Sequence, residues 1–95
     1  MDKIIGKFIW DVDKEAVNCI KHGVGFDTAS KAFSDPGRKL YVDAHHGRAE
    51  ERFFCIGKVK RKILTVRFTY RGGSIRIIGA GYWRKGKVFY EKEEA

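Results

Sequence analysis

"ILTVRFTYRGGSIRIIGA", residues 63–80, alternates apolar and polar side chains and then turns back on itself. Leu64, Val66, Phe68 and Tyr70 fall on one face of an extended chain, and Thr65, Arg67, Thr69 and Arg71 on the other, because successive side chains of a strand point to opposite sides. Arg71-Gly72-Gly73 tolerates a tight reversal, and residues 74–80 read as the returning strand. One side of this hairpin is apolar and the other basic. The sheet is therefore expected to bury one face under helices and leave the other wet.

The pattern extends upstream. Lys60-Arg61-Lys62 separates the hairpin from a strand over residues 52–59, and Lys39-Leu40-Tyr41-Val42 forms another, giving an antiparallel meander. Residues 4–10 are a short run of β-branched and aromatic side chains and read as one N-terminal strand. Asp11 then offers a helix N-cap, and Val12, Ala16, Cys19 and Ile20 recur at helical spacing, which predicts a core-facing stripe ending at Gly23. Asp27 is a second cap, and Ala29, Ala32 and Phe33 line a short helix that stops at the Asp35-Pro36-Gly37 turn. Residues 83–94 are rich in Lys and Glu but contain Gly86 and little apolar periodicity, which predicts a loosely packed terminal helix. The expected fold is α+β: an N-terminal strand and a helical hairpin packed on a twisted antiparallel β-sheet, with a C-terminal helix. At 95 residues the chain has room for one domain, 1–95, and one core.

Residues 1–47 carry as many acidic as basic side chains, so the whole net charge of +8 lies in residues 48–95. No acid occurs between Glu51 and Glu91, a stretch that holds Arg67, Arg71, Arg76 and the lysines around them. Such a block calls for a polyanionic partner, and a wet face of arginines, threonines and tyrosines suits a ribose-phosphate chain. A membrane surface is the weaker choice, because this half shows strand patterning and no basic amphipathic helix. No apolar run approaches the roughly 20 residues of a bilayer span, so the protein is expected to be soluble and cytoplasmic. Cys19 and Cys55 lack a paired spacing and read as buried thiols, implying neither redox nor zinc chemistry.

Gly81-Tyr82-Trp83-Arg84-Lys85-Gly86-Lys87 satisfies the spacing of a phosphate-binding loop. Val88 stands where such a loop needs Ser or Thr for magnesium, and a doubly wound nucleotide-binding sheet does not fit in this length. The match is coincidental.

Asn18, Lys21-His22-Gly23-Val24, Phe26, Ala29, Phe33 and Asp35-Pro36, followed by Asp43, His46, Glu50-Glu51-Arg52, Ile56-Gly57 and Ile75-Arg76-Ile77-Ile78, occur in a familiar order. Over residues 8–81 the chain resembles the BrnT family of bacterial toxins. The resemblance implies a RelE-like fold and an endoribonuclease that blocks translation and is held inactive by a cognate antitoxin encoded nearby. It also implies that operator DNA is reached only through the antitoxin, in a hetero-oligomer. The family pattern reads Ser-Ala-Arg near 79–81, where this chain has Gly79-Ala80-Gly81, and Lys87 stands near a family glutamate.

Metal-free RNA cleavage needs a base for the 2′-hydroxyl, cations for the charge growing on the phosphate, and an acid for the leaving 5′-oxygen. Arg52, Arg67 and Arg76 are the candidate phosphate clamps because strands hold a guanidinium fork rigidly. The absence of acidic neighbours in sequence favours Arg67 and Arg76 over a surface ion-pair role, while Arg52 follows Glu50 and Glu51. His46 and Glu50 are candidates for proton transfer, and Tyr90 could lend a hydroxyl. Arg71, Arg84, Lys85 and Lys87 are candidate RNA contacts, and Tyr82 and Trp83 are suited to stack on unpaired bases, with burial of the terminal helix as their competing role. Lys21 and His22 end a helix, where a cation meets the negative end of the dipole; that role comes first for His22 and catalysis second. Asp43, His45 and His46 lie too close in sequence, without a distant fourth ligand, to hold a metal, and no cofactor is expected. The alternative to an enzyme is a non-catalytic nucleic-acid-binding homologue, and a third reading is a basic face that serves only to dock an acidic antitoxin.

Overall fold

The computed structural model describes residues 1–44 and 50–92. In chain order these form β1 (Asp2–Ile5), β2 (Phe8–Asp11), α1 (Val12–His22), α2 (Phe26–Ser30) running into a 3-10 turn (Lys31–Ser34), β3 (Lys39–Val42), β4 (Phe53–Val59), β5 (Lys62–Arg71), β6 (Ser74–Gly81) and α3 (Arg84–Glu91). The six strands make one sheet in the order β1-β2-β6-β5-β4-β3. The α+β class is as expected, and the meander β3 to β6 is antiparallel throughout. The N-terminal run, however, is two strands: Gly6, with φ of 59°, turns the chain so that β1 pairs antiparallel with β2. β2 then lies parallel to β6, with Phe8 opposite Ile75 and Ile9 opposite Arg76, so the sheet is mixed.

Asp11 caps α1 by accepting a hydrogen bond from the Lys14 amide at 3.1 Å, and Gly23 closes it in the left-handed conformation. The expected inward stripe is overturned. Ala16 and Cys19 are exposed and Ile20 is 86% accessible, whereas Asn18 is buried. Polar groups dock this helix because each finds a specific partner. Glu15 accepts from the Trp10 indole at 3.1 Å and from the Phe26 amide at 2.7 Å, so it, rather than Asp27, caps the first turn of α2. Asp27 instead accepts from the Thr28 amide. Trp10 and Phe26 meet edge to face, and with Ala29 and Ala32 they cover Leu64, Val66, Phe68, Ile77 and Ala80 on one side of the sheet. Each large side chain so buried contributes roughly 1.5–3 kcal/mol.

α3 covers the opposite side, and Gly86 is the reason it can. A Cβ at Gly86 would collide with Thr65 Oγ1, so the helix backbone itself rests on β5. The residue that weakens the helix by propensity is the one that lets it pack closely, which corrects the expectation of a loose terminal helix. Phe89 packs on Tyr41 at 5.2 Å between ring centroids, Lys39 Nζ donates to the Phe89 and Lys92 carbonyls, and the Tyr90 hydroxyl donates to Asp35. The wet basic face shrinks accordingly. Thr65 lies beneath α3, and Thr69 is 1% exposed with its hydroxyl donating to the Glu51 carbonyl, so of the expected face only Arg67 and Arg71 stay accessible.

Candidate functional site

Arg67 lies at the middle of β5, on the floor of a groove between α1 and α3. Two clefts of about 500 Å³ each meet there, and Phe54, Arg67 and Trp83 line both. The Arg67 guanidinium carbon sits 5.6 Å from the Phe54 ring centroid, and its Nε lies 3.5 Å from Asp43 Oδ2. Asp43 is buried and donates its backbone amide to the Arg52 carbonyl at 2.8 Å, which fixes it at the end of β3. A separation of 3.5 Å compensates charge but is long for a hydrogen bond. Arg67 Nε is buried and hydrogen-bonded to nothing among the described residues. The guanidinium is thus positioned by Phe54 and Asp43 while the side chain stays about a third exposed to the groove.

Asn18 builds the α1 wall. Its side chain accepts from the Ala80 amide at 3.1 Å and donates to the carbonyls of Ala80 at 2.9 Å and Val24 at 3.0 Å, so it serves the edge of β6 beyond the end of β2 as a neighbouring strand would. One helical turn later this anchoring places Lys21 and His22 over the groove, with the His22 ring 5.0 Å from Trp83 in edge contact. Trp83 caps the start of α3, and its indole lies against Gly81 so closely that a Cβ there would come within 2.7 Å of Cζ2. The ring thus fills space that a side chain at Gly81 would need.

The groove gathers Arg67, Trp83 and Lys85 from the expected site residues, and adds Lys21 and His22. His46 lies outside the described residues, within 45–49, although Asp43 and Ala44 just before it line the groove. The sheet arginines expected to lack acids have them, because the fold supplies carboxylates that the sequence holds far away. Arg71 pairs with both oxygens of Glu50 at 2.8 and 2.9 Å, and Arg76 makes a two-point contact with Asp2 at 2.9 and 3.2 Å. The hydrogen bond with Arg76 holds the Asp2 carboxyl below its ordinary range and the Arg76 guanidinium above its own. Arg52 precedes β4 and lines neither cleft. Tyr82, Arg84, Lys87 and Tyr90 line a further cleft on the far side of α3. There the Tyr90 hydroxyl is committed to Asp35, a bond that, with burial, pushes its pKa up to about 12. The spacing of Gly81 to Lys87 holds no phosphate loop, since Tyr82 and Trp83 alone join β6 to the first turn of α3.

Cys55 is buried, and desolvation pushes its thiol up to about 12, while Cys19 is exposed rather than buried; both are free. Among the described residues no three His, Cys, Asp or Glu side chains gather to hold a metal ion. Among the described residues no helix is long and apolar enough to cross a membrane.

The family model for the ribonuclease toxin BrnT of type II toxin-antitoxin systems matches residues 10–86, a span that contains the α1 wall, the floor of this groove and the start of α3. The chain belongs to the BrnT family. No individual curated protein matches it. BrnT proteins are ribonuclease toxins of two-component systems whose other member is a protein antitoxin. The matched span takes in Asn18, His22, Asp43, Arg67, Trp83 and Gly86, and it leaves out Asp2 and Tyr90. The carboxylate that occupies Arg76 and the hydroxyl that ties α3 to Asp35 lie outside the matched residues. Sequence reasoning ranked His22 below His46; the signal that could have raised it was Asn18 one turn earlier, whose burial aims that end of α1 across the sheet.

Proposed function

We propose that this BrnT toxin is a metal-independent endoribonuclease that cleaves single-stranded RNA in the Arg67 groove. The observation that carries the reading is a guanidinium held over Phe54 beside Asp43, in a groove that the contacting rings of His22 and Trp83 also line. A base removes the proton from a ribose 2′-hydroxyl, the 2′-oxygen bonds to the adjacent phosphorus, and the bond to the 5′-oxygen breaks as that oxygen takes up a proton. The products are a 2′,3′-cyclic phosphate and a 5′-hydroxyl. Arg67 stabilises the charge that builds on the phosphoryl oxygens, a contribution of about 3–4 kcal/mol for a single well-placed donor. The imidazole at hand for the proton transfers among the described residues is that of His22, which lines the groove; His46, the other candidate, lies outside them. Trp83, 41% exposed, offers a stacking face for an unpaired base.

Cleavage of messenger RNA would stop translation, and the antitoxin would neutralise the toxin by covering the groove, with operator DNA bound through the antitoxin alone. Val17 lines the groove, and Val17 and Ile20 present exposed apolar surface on α1 to such a partner. Incubation of the purified toxin with single-stranded RNA in EDTA tests the activity. Cyclic-phosphate ends that vanish in Arg67→Ala support it. The second reading, a homologue that binds RNA without cutting it, is favoured by one feature: Trp83 occupies the space over Gly81, where the resembled pattern has an arginine. Salt-sensitive binding of RNA that stays intact would establish that reading instead.

A further inference from the structure

β5 is closed at each end by a hairpin turn, and both turns pass through the left-handed region of backbone space. At Gly72-Gly73 the φ values are 58° and 82°, which glycine adopts freely. At the other end Lys60 and Arg61 take φ of 47° and 72°, an unfavourable conformation for any residue with a Cβ. Asn-Gly would close the same turn with less strain. The hairpin geometry accounts for the conformation but not for two long cations in it, and strain retained at one turn and avoided at its counterpart points to a role for those side chains.

The surroundings say which. Lys58, Arg61 and Lys62 face Arg84 and Lys87 of α3 across a cleft of about 580 Å³ in which Glu91 is the one acid among the described residues. None of these five cations forms an ion pair among the described residues, in contrast to Arg67, Arg71 and Arg76. Lys62 Nζ sits 5.3 Å over the ring of Tyr82, which is 42% exposed. α3 is the ridge between this cleft and the Arg67 groove: Lys85, Gly86 and Phe89 border the groove, and Arg84, Lys87 and Tyr90 border the cleft. Trp83 lines all three hollows. Lys58 lies opposite Ile63, four residues or about 14 Å along β5 from Arg67 and on the same face, so a polyanion engaging both must be an extended chain passing the two exposed aromatics.

We propose that the cleft between the Lys60-Arg61 turn and α3 is a second RNA-binding site, which grips phosphates of the strand beyond the Arg67 groove while Tyr82 and Trp83 stack on the bases between. The identity of the polyanion as RNA rests on the ribonuclease reading; the site itself rests on the charge and the strained turn. Exposed aromatic faces beside unpaired cations are what a single strand uses, and an acidic peptide has no use for the stacking surface.

The turn offers a test in which folding and binding move in opposite directions. Lys60→Asn combined with Arg61→Gly relaxes the backbone while it removes two cations. Binding of a fluorescent single-stranded oligouridylate of about 16 nucleotides is read by anisotropy at several salt concentrations, with Arg67→Ala in both proteins so that the RNA stays whole whether or not the groove cleaves. The double replacement is expected to raise the melting temperature by about 4 °C or more, weaken binding tenfold or more, and flatten the dependence of log affinity on log salt by roughly 0.7, since Arg61 lines the cleft and Lys60 does not. Binding and salt slope unchanged beside a raised melting temperature would overturn the proposal. So would an acidic peptide that binds, and loses affinity in the same variant, where the oligouridylate does not bind.

Discussion

Arg67 and Arg76 occupy the same face of one sheet, on adjacent strands, and an alternation pattern treats them alike. Their surroundings differ. At the centre, Arg67 lies in a groove walled by two helices, with a carboxylate at 3.5 Å and no hydrogen bond to it. Towards the edge, Arg76 is 17% exposed and spends its fork on Asp2, a residue supplied by the strand hairpin that precedes α1. A guanidinium is useful to a substrate when the protein orients it without consuming its donors, and topology, rather than residue type, separates the two cases.

The central site depends on α3 resting on the sheet, so the largest effect is expected where that approach is blocked. Gly86→Val places a branched side chain against Thr65 and Ile56 and should destabilise the protein by about 3 kcal/mol, read by thermal or urea unfolding, with loss of RNA cleavage. A stable, active Gly86→Val protein would mean that α3 is not a required wall.

A smaller effect belongs to the Tyr90 tie. Burial opposes ionisation of Asp35, but hydrogen bonds from the Tyr90 hydroxyl and from the Lys58 and Gly37 amides outweigh it and hold the carboxyl below its ordinary value of 3.8. The stability from Asp35 is therefore present above about pH 3.8 and lost as pH falls through its lower folded value. Tyr90 has the opposite sign. Its pKa, raised from 10.0 to about 12, gives stability that is complete below pH 10 and lost as pH climbs towards 12. Tyr90→Phe should cost about 1.5 kcal/mol at neutral pH and abolish that alkaline loss, while leaving the groove's geometry intact. Cleavage that fell a hundredfold in Tyr90→Phe, with folding preserved, would instead put its hydroxyl in the chemistry.

The smallest effect is expected at the edge. Asp2 is exposed and lines neither cleft of the groove, so Asp2→Ala should shift the melting temperature only slightly and leave cleavage unchanged. A large gain in RNA affinity in Asp2→Ala would sharpen the comparison differently, by showing that the carboxylate masks a second working arginine.

What was legible in the sequence was local. Alternation over residues 63–80 gave the hairpin, and Asp11 and Gly23 gave both ends of α1. What was not legible depends on partners distant in the chain. α1 buries Asn18 and exposes Ile20 because Ala80 and Val24 satisfy an amide that hydropathy counts as outward-facing. β2 joins β6 through two residue pairs, too few to leave a periodic signal. The acids that divide the sheet arginines, Asp2, Asp43 and Glu50, lie from 21 to 74 residues away from them along the chain. Gly86 misled because its cost to an isolated helix is visible in the sequence and its fit against Thr65 is not.

The central claim is that Arg67, and not its neighbour on the same face, meets the phosphate. The direct measurement is the single-turnover cleavage rate of one single-stranded RNA in EDTA by the wild-type toxin, Arg67→Ala and Arg76→Ala, with folding checked for each. A loss of roughly 10²–10³ in Arg67→Ala beside a change of less than about tenfold in Arg76→Ala is the predicted result. Equal losses, or a loss confined to Arg76→Ala, would contradict the account.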